Sequence, residues 1–412
     1  MSVALRPVSL KRGKSKPISA YRMVAEKLVM RLTRSISVGS VTFVLEDETE
    51  IPSDSGNPGP AAVIKVHSLK GIRRLISSGY VGLAEGYMAG DWSTPSLRDI
   101  FDFGTANMKQ LDENLSGGAV ARFANAMSHF HRRNNKSGSR RNIADHYDLG
   151  NDFFGKWLDK TMTYSSALFK DTETESLVQA QENKFRRIVE RLGLTSNQHV
   201  VEIGCGWGGF AEFAAKETGA KVTGITISRE QQAFATARMK KNGLSDQVDI
   251  RLQDYRDLNG KFDHAVSIEM LEAVGESYWP SYFQTISRNL KKGGKAMIQV
   301  IVVPDDRFAQ YKQSVDFIQK YIFPGGMLLS PGHMKSQSAG AGLALEEAHT
   351  FGPDYSRTLD LWRETFDLQW PAILPLGFDE RFKRMWDYYL EYTSAGFRAG
   401  SINVGQFLLK KV

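Results

Sequence analysis

Cysteine is almost missing from this 412-residue chain. The single Cys205 excludes an internal disulfide and any cysteine-based metal cluster, and it suits a reducing compartment. No apolar run reaches the roughly 18 residues needed to span a bilayer. Residues 1–30 lack the compact apolar core and small-residue cleavage site of a secretory signal, so the expectation is a soluble or peripheral protein. Internal repeats and low-complexity segments are also missing. What is present, 42% hydrophobic and 24% charged residues, excludes a disordered or collagen-like chain, and the length allows two or more domains with proper cores.

The formal net charge of +7 is unevenly spread. Residues 1–34 hold nine Lys or Arg (Arg6, Lys11, Arg12, Lys14, Lys16, Arg22, Lys27, Arg31, Arg34) against one acid, Glu26. Residues 131–141 add Arg132, Arg133, Lys136, Arg140 and Arg141 with no acid, so the rest of the chain is net acidic. In the first segment Ile18, Tyr21, Val24, Leu28 and Leu32 recur at helical spacing, with Arg22, Lys27, Arg31 and Arg34 off that stripe. Such a helix suits an anionic membrane surface, and an ordinary surface helix behind a solvated tail gives the same pattern. Neither segment has interleaved aromatics or a nucleic-acid-binding signature, so nucleic acid is not an expected partner.

These shifts divide the chain into a basic tail and amphipathic helix (1–34), a small α+β accessory domain (35–130), a basic linker (131–144) and a larger domain (145–412). In the accessory domain Ser40–Glu46 and Ala62–Val66 read as strands around a turn-rich span with Pro52, Gly56, Pro58 and Gly59. Helical periodicity follows over 68–78, 82–89 and 96–130. In the larger domain strands at 199–204, 221–227, 248–253, 262–268 and 295–303 alternate with helices, which predicts a doubly wound, mostly parallel sheet covered on both faces. Ligands bind at the carboxyl ends of such strands, so the residues just after 204, 227, 253 and 269 are expected to line one crevice.

The densest signal lies after the first of these strands, in His199-Val-Val-Glu-Ile-Gly-Cys-Gly-Trp-Gly-Gly209. Strand, tight turn and helix follow in order, and Gly204, Gly206 and Gly208 let the backbone lie flat against a ligand. Gly204, Gly206 and Gly209 also satisfy the dinucleotide fingerprint, so spacing alone does not separate NAD from S-adenosylmethionine. Glu202 favours the latter. A carboxylate before the first glycine suits a ligand bearing ammonium and sulfonium charge and would repel a pyrophosphate.

Asp145-His-Tyr-Asp-Leu-Gly-Asn-Asp-Phe-Phe154, Met162-Thr-Tyr-Ser-Ser-Ala167, the glycine loop and Gly224-Ile-Thr-Ile-Ser-Arg-Glu-Gln231 resemble the cyclopropane-fatty-acyl-phospholipid synthase family in order and spacing. Asp254-Tyr-Arg-Asp257, Glu269-Met-Leu-Glu-Ala-Val-Gly275, Phe351-Gly-Pro-Asp-Tyr355 and Gly396-Phe-Arg398 extend the resemblance over about 145–412. Gly82–Trp92 resembles, more loosely, that family's accessory domain. The resemblance implies a class I methyltransferase fold of Rossmann-like type, with a helical lipid-binding insertion at roughly 304–342 and 356–400. It implies S-adenosylmethionine as cofactor and an unsaturated phospholipid acyl chain as acceptor. It also implies a cytoplasmic enzyme peripheral to the inner face of the membrane, with no metal; a homodimer is left open.

By the same resemblance Tyr164 and Ser165 close over the amino-acid end of the cofactor, and Glu202, Gly204, Gly206, Trp207 and Gly208 form the loop beneath it. Thr226, Ser228 and Gln231 match the segment around the ribose, and Asp254 and Tyr255 match residues near the adenine. Ser228 and Gln231 equally read as a helix capping box, and Trp207 as a half-buried aromatic at a helix start.

An alkene is a poor nucleophile. Its π electrons attack the methyl of the sulfonium, leaving a carbocation that the site must shelter until a proton is removed. Aromatic faces suit the first task, and Trp362, Phe366, Trp370, Phe378, Trp386, Tyr388, Tyr389, Tyr392 and Phe397 crowd the end of the chain, where helical core packing also accounts for them. For the proton, the family uses bicarbonate held by a glutamate, a histidine, a tyrosine and backbone groups, matched here by Glu272, Gln299, Tyr355 and Ile301. Gln299 stands in the histidine position, and Ser166 and Thr393 replace cysteines. Glutamine donates a hydrogen bond but shuttles no proton, so the base is weaker or the cation meets another fate. The expected product is a cyclopropane fatty acid, with a methyl- or methylene-branched chain as the alternative. A small soluble acceptor and a lipid-binding protein with a vestigial site are the competing readings. Glu272 as a buried acid paired with an arginine, and Tyr355 as a plain core residue, also stay open.

Overall fold

The computed structural model describes residues 36–115, 149–313 and 315–412, with Met23, Glu26, Lys27, Val29, Met30, Thr33 and Arg34 of the leading segment. The apolar stripe Ile18, Tyr21, Val24, Leu28 and Leu32 and the linker 131–144 lie outside the described residues. The chain forms two compact units, 1–125 with 378–399, and 126–377 with 400–412.

The first unit holds a four-stranded sheet in the order β2-β1-β3-β4, built from β1 (Ser40–Val44), β2 (Glu50–Asp54), β3 (Ala61–Val66) and β4 (Trp92–Ser93). β2 is a strand where the sequence suggests only turns. Its Pro52 pairs with Thr42 at the sheet edge, where a missing N–H is tolerated. Helices α1 (Leu69–Met88) and α2 (Leu97–Ala106) start at Ser68 and Ser96, whose hydroxyls cap free backbone N–H groups. Asn107 separates α2 from α3 (Met108–Leu115), and its buried amide donates to the Val38 and Phe103 carbonyls. The unit is completed by α12 (Glu380–Arg398), from the far end of the chain. Arg398 bonds Asp102 at 2.9 Å and the buried Glu391 at 2.7 Å, and the Tyr388 ring lies 5.0 Å from that of Phe101. The larger domain is therefore not the continuous span 145–412, because the apolar face of α12 is buried against α1 and α2.

The second unit carries a seven-stranded sheet in the order β10-β11-β9-β8-β5-β6-β7. β5 (His199–Ile203), β6 (Lys221–Thr226), β7 (Val248–Leu252), β8 (Phe262–Ile268) and β9 (Leu290–Val302) run parallel, in agreement with the expected doubly wound fold. β10 (Leu343–Thr350) and β11 (Asn403–Lys411) add an antiparallel edge. Val200, Val201 and Ile203 of β5 are at most 1% exposed, as befits a strand covered on both faces. The covering helices are α4 (Asn151–Trp157), α5 (Leu177–Leu192), α6 (Gly209–Thr218), α7 (Arg229–Lys241), α8 (Trp279–Asn289), α9 (Asp305–Tyr311), α10 (Pro331–Gly340) and α11 (Gly352–Ile373). No helix among the described residues is long and apolar enough to cross a membrane.

Candidate active site

The carboxyl ends of the parallel strands bring most of the expected residues together. After β5 the chain turns through Gly204, Gly206 and Gly208, all with positive φ (84°, 52° and 81°). A Cβ on Gly204 would lie 2.8 Å from Met270 Cγ, and one on Gly208 3.0 Å from Met239 Cε. At Gly206 it would meet none of the described residues beyond its chain neighbours within 4 Å. The loop is thus packed on its protein side and open at one glycine.

Glu202 is buried, and its Oε2 has no hydrogen-bond partner among the described residues. Burial holds its carboxyl well above the usual range, although Lys184 and Arg238 oppose that shift. A cation bound there would repay ionisation of the acid, so these residues fit the ammonium end of S-adenosylmethionine. Trp207 is also buried, and its Nε1 donates to Asn151 at 2.7 Å while the ring packs on Phe154. Tyr164 stands between Phe154 and Trp362, with ring centres 5.4 and 5.3 Å away. Ser165 is tied down by the Lys184 ammonium, whose Nζ donates to its hydroxyl at 2.7 Å.

At the end of β6, Ser228 caps α7 by accepting the Gln231 N–H at 3.3 Å. The Gln231 side chain, however, accepts from the Thr226 hydroxyl at 2.8 Å, so one half of the capping box is made. Beyond β7, Asp254 closes on Arg256 through two side-chain bonds of 2.8 and 2.7 Å, and Tyr255 packs on Tyr282.

The proton-accepting end differs from expectation. Glu269, the first residue after β8 and, among the described residues, one of three non-glycine residues with positive φ (51°), places its carboxylate amid the groups expected to hold bicarbonate. Oε1 accepts the Ser166 backbone N–H and the Gln299 side-chain amide, both at 2.9 Å, and Oε2 accepts the Tyr355 hydroxyl at 2.6 Å. Ser166 thus acts through its backbone, while its hydroxyl bonds the Ala167 carbonyl. Glu272, on the short turn Leu271–Ala273, accepts the Ile301 N–H at 2.7 Å, and its Oε2 is buried without a partner among the described residues. Among the described residues it has no arginine partner, and the Tyr355 hydroxyl bonds Glu269 rather than only packing in the core. Every donor assigned to a bound bicarbonate already serves a protein carboxylate, so that anion does not fit this arrangement. Thr393 is grouped with the other unit. It sits on α12 in the first unit and bonds the Tyr389 carbonyl. Phe378, Trp386, Tyr388, Tyr389, Tyr392 and Phe397 also belong to that unit, whereas Trp362, Phe366 and Trp370 are buried on α11.

Two enclosed carboxyls this close cannot both ionise easily. Burial and then the charge of Glu269 push Glu272 up to about 8, so at neutral pH it is the protonated member. Burial also raises Glu269, but Lys184, Tyr355, Gln299 and the Ser166 N–H all favour its anion. Of the two, Glu269 is the carboxyl whose surroundings favour the anion. Lys184, wholly buried on α5, is pushed down to about 7 by that burial, against the pull of Glu269, Asp159 and Glu202.

Sequence reasoning passed over Glu269 and Lys184. Glu269 had a signal in its place at the carboxyl end of β8, the very edge where the crevice was expected. Lys184 had one in sharing the buried face of α5 with Ala180, Gln181 and Ile188.

Residues 134–407 match the family described as mycolic acid cyclopropane synthetase. Tuberculostearic acid methyltransferase UfaA1 of Mycobacterium tuberculosis is 38% identical over 355 residues, 82% of this chain and 80% of the relative. Cyclopropane-fatty-acyl-phospholipid synthase of Escherichia coli is 38% identical over 360 residues, 86% of this chain and 89% of the relative. Among solved structures, the cyclopropane synthase MmaA2 from Mycobacterium tuberculosis superposes with a TM-score of 0.62 at 29% identity, covering 66% of this chain and 98% of that one. Glycine loop, buried acid and enclosed carboxylate thus sit in a fold shared with these proteins, and the chain belongs to the mycolic acid cyclopropane synthetase family of S-adenosylmethionine-dependent methyltransferases.

Proposed function

We propose that this enzyme methylates the double bond of an unsaturated fatty acyl chain in membrane phospholipid, and that Glu269 takes the proton that ends the reaction. S-adenosylmethionine supplies an electrophilic methyl group. The chain's own residues do the rest. Glu202 and the loop at Gly204 to Gly208 hold the cofactor, with Tyr164 and Ser165 at its amino-acid end. Trp362, whose ring centre lies 5.3 Å from that of Tyr164 and 6.1 Å from that of Tyr355, offers an aromatic face to a cation on the acyl chain. Glu269, whose anion three donors favour, accepts the proton without an added base.

The observation that carries the product assignment is the threefold hydrogen bonding of Glu269. Donors on a carboxylate stabilise its anion and weaken it as a base. Slow proton removal leaves time for hydride to move from the methylated carbon to the adjacent cation, giving a tertiary cation. Loss of a methyl proton then yields a methylene branch. Prompt removal of the same proton closes a cyclopropane ring instead. UfaA1 is named as a methyltransferase and the Escherichia coli relative as a cyclopropane synthase, so the names alone do not choose. Glu269 favours the branch over the ring expected from sequence. Incubating the purified enzyme with S-adenosylmethionine carrying a ¹³C-methyl group and vesicles of monounsaturated phospholipid should place the label in an alkene CH₂. A label in a strained ring carbon restores cyclopropane synthesis, and a label on a soluble small molecule removes the lipid reading.

The acyl chain is presented by an anionic membrane surface on the cytoplasmic side, where the basic residues of 1–34 are attracted at about 1 kcal/mol each near the surface. Replacing Arg6, Lys11, Arg12, Lys14 and Lys16 with Gln is expected to cut binding to anionic vesicles at least about tenfold at low salt, with cofactor affinity unchanged. Equal vesicle binding by both proteins would remove the tail from this reading.

A further inference from the structure

We infer that Gln406 and Arg187 are positioning residues that fix the orientation of the Gln299 amide and so keep Glu269 supplied with a donor. The inference rests on Glu269 being the base. Gln406, on β11, lies directly across from Gln299 on β9 in the strand register, and both are buried. The Gln406 Nε2 donates to Gln299 Oε1 at 3.0 Å, and Gln299 Nε2 donates to Glu269 at 2.9 Å and to the Ser166 carbonyl at 3.3 Å. At the other end Arg187 Nη1 donates to Gln406 Oε1 at 2.6 Å, while Nη2 bonds Glu347 at 2.5 Å.

The direction of this chain is not free. An amide can be turned over to exchange its donor and acceptor ends, but a guanidinium has donors only. Arg187 therefore obliges Gln406 to present its carbonyl to α5 and its NH₂ to Gln299. Gln299 must then turn its carbonyl to Gln406 and its NH₂ to Glu269. The Ser166 carbonyl, an acceptor only, agrees with that sense. Two side chains with no place in the chemistry thus set the polarity of one that touches the base. Glutamine at 299, which shuttles no proton, is suited to this task because it passes the direction on.

Other charges also bear on Glu269: Lys184 from α5, Glu272 from the turn after β8, and the Tyr355 hydroxyl from α11. The test must separate their influence from the relay. Gln406→Leu leaves all three in place and removes the partner of Gln299 Oε1. Its expected effect is an upward move of the acid limb of the pH–kcat profile by about one pH unit, with KM for S-adenosylmethionine unchanged. Turnover, measured on vesicles of monounsaturated phospholipid, should fall about tenfold below that limb and recover at higher pH. Arg187→Met should move the limb the same way by less, and Arg187→Lys, which restores a donor, should bring it back. Infrared difference titration, with the Glu269→Gln spectrum subtracted, reads the carboxyl of Glu269 without turnover. It should report the same upward move in Gln406→Leu. A folded Gln406→Leu protein with an unmoved carboxyl titration overturns the relay, as does a loss of activity uniform across pH. If Glu269→Gln proves fully active, the base assignment fails by itself, and the infrared titration still decides the relay.

Discussion

Glu269→Gln is expected to lower kcat by about 10²- to 10⁴-fold, the range contributed by a positioned general base, while cofactor affinity changes by less than about threefold. The amide nearly matches the carboxylate in shape but cannot take a proton. Glu272→Gln should be much milder, because the acid pushed up to about 8 is already neutral at pH 7 and glutamine reproduces that state. The ordering reverses the one expected from sequence, in which Glu272 holds the base and Glu269 has no role. Glu269→Ala offers a sharper form of the same test. Truncation leaves the Ser166 N–H, the Gln299 amide and the Tyr355 hydroxyl aimed at the space the carboxylate occupied. Formate or bicarbonate added at millimolar concentration should then restore part of the turnover, measured by transfer of labelled methyl to phospholipid. Full activity of Glu269→Gln without any added anion would eliminate Glu269 as the base.

The parallel strands and the glycine loop were legible because their signals are local. A run of apolar residues buried on both faces ends in a turn only glycine makes comfortably, and the strands from β5 to β8 fall within a residue or two of their expected limits. The edge strand β2 was hidden by Pro52, which reads as a turn until its partner Thr42 and its place at the sheet edge are known. The fate of α12 was hidden for a different reason. Its aromatic face matches a helix of either unit, and only the three-dimensional partners Tyr87 and Phe101 place it in the first.

At the site, matching residues one by one to a family pattern named Glu272 and Ile301, which bond each other, and Tyr355, which bonds Glu269, but it treated Gln299 as a defect. The structure pairs that substitution with an acid three residues before Glu272. Read alone, Gln299 is a lost proton shuttle; read beside Glu269, it is a donor to the carboxylate proposed as the base. Such a compensation spans 30 residues of sequence and one hydrogen bond of 2.9 Å, so no local pattern reveals it.

Gly206→Val is expected to leave a folded protein without measurable affinity for the cofactor. The three loop glycines differ in what a side chain would disturb. At Gly204 and Gly208 a Cβ runs into Met270 or Met239, so loss of binding there could reflect a repacked core. At Gly206 a Cβ meets no atom of the described residues beyond its chain neighbours within 4 Å, so a side chain there disturbs the packing of the described residues least. The backbone cost is bounded. A φ of 52° at a residue bearing a side chain costs roughly 1–2 kcal/mol, somewhat more with a β-branched side chain, and a two-unit protein of this size should tolerate that with a drop of a few degrees in melting temperature. Calorimetry with S-adenosylhomocysteine should show a rise in Kd of at least about 100-fold, some 2.7 kcal/mol, which exceeds the strain and so reports on contact with the ligand. Gly206→Ala, with a smaller intrusion at the same φ, should fall between the two. Unchanged binding by a folded Gly206→Val protein would place the cofactor elsewhere and remove the methyl donor from the carboxyl ends of β5 and β8, where Glu202 and Glu269 lie.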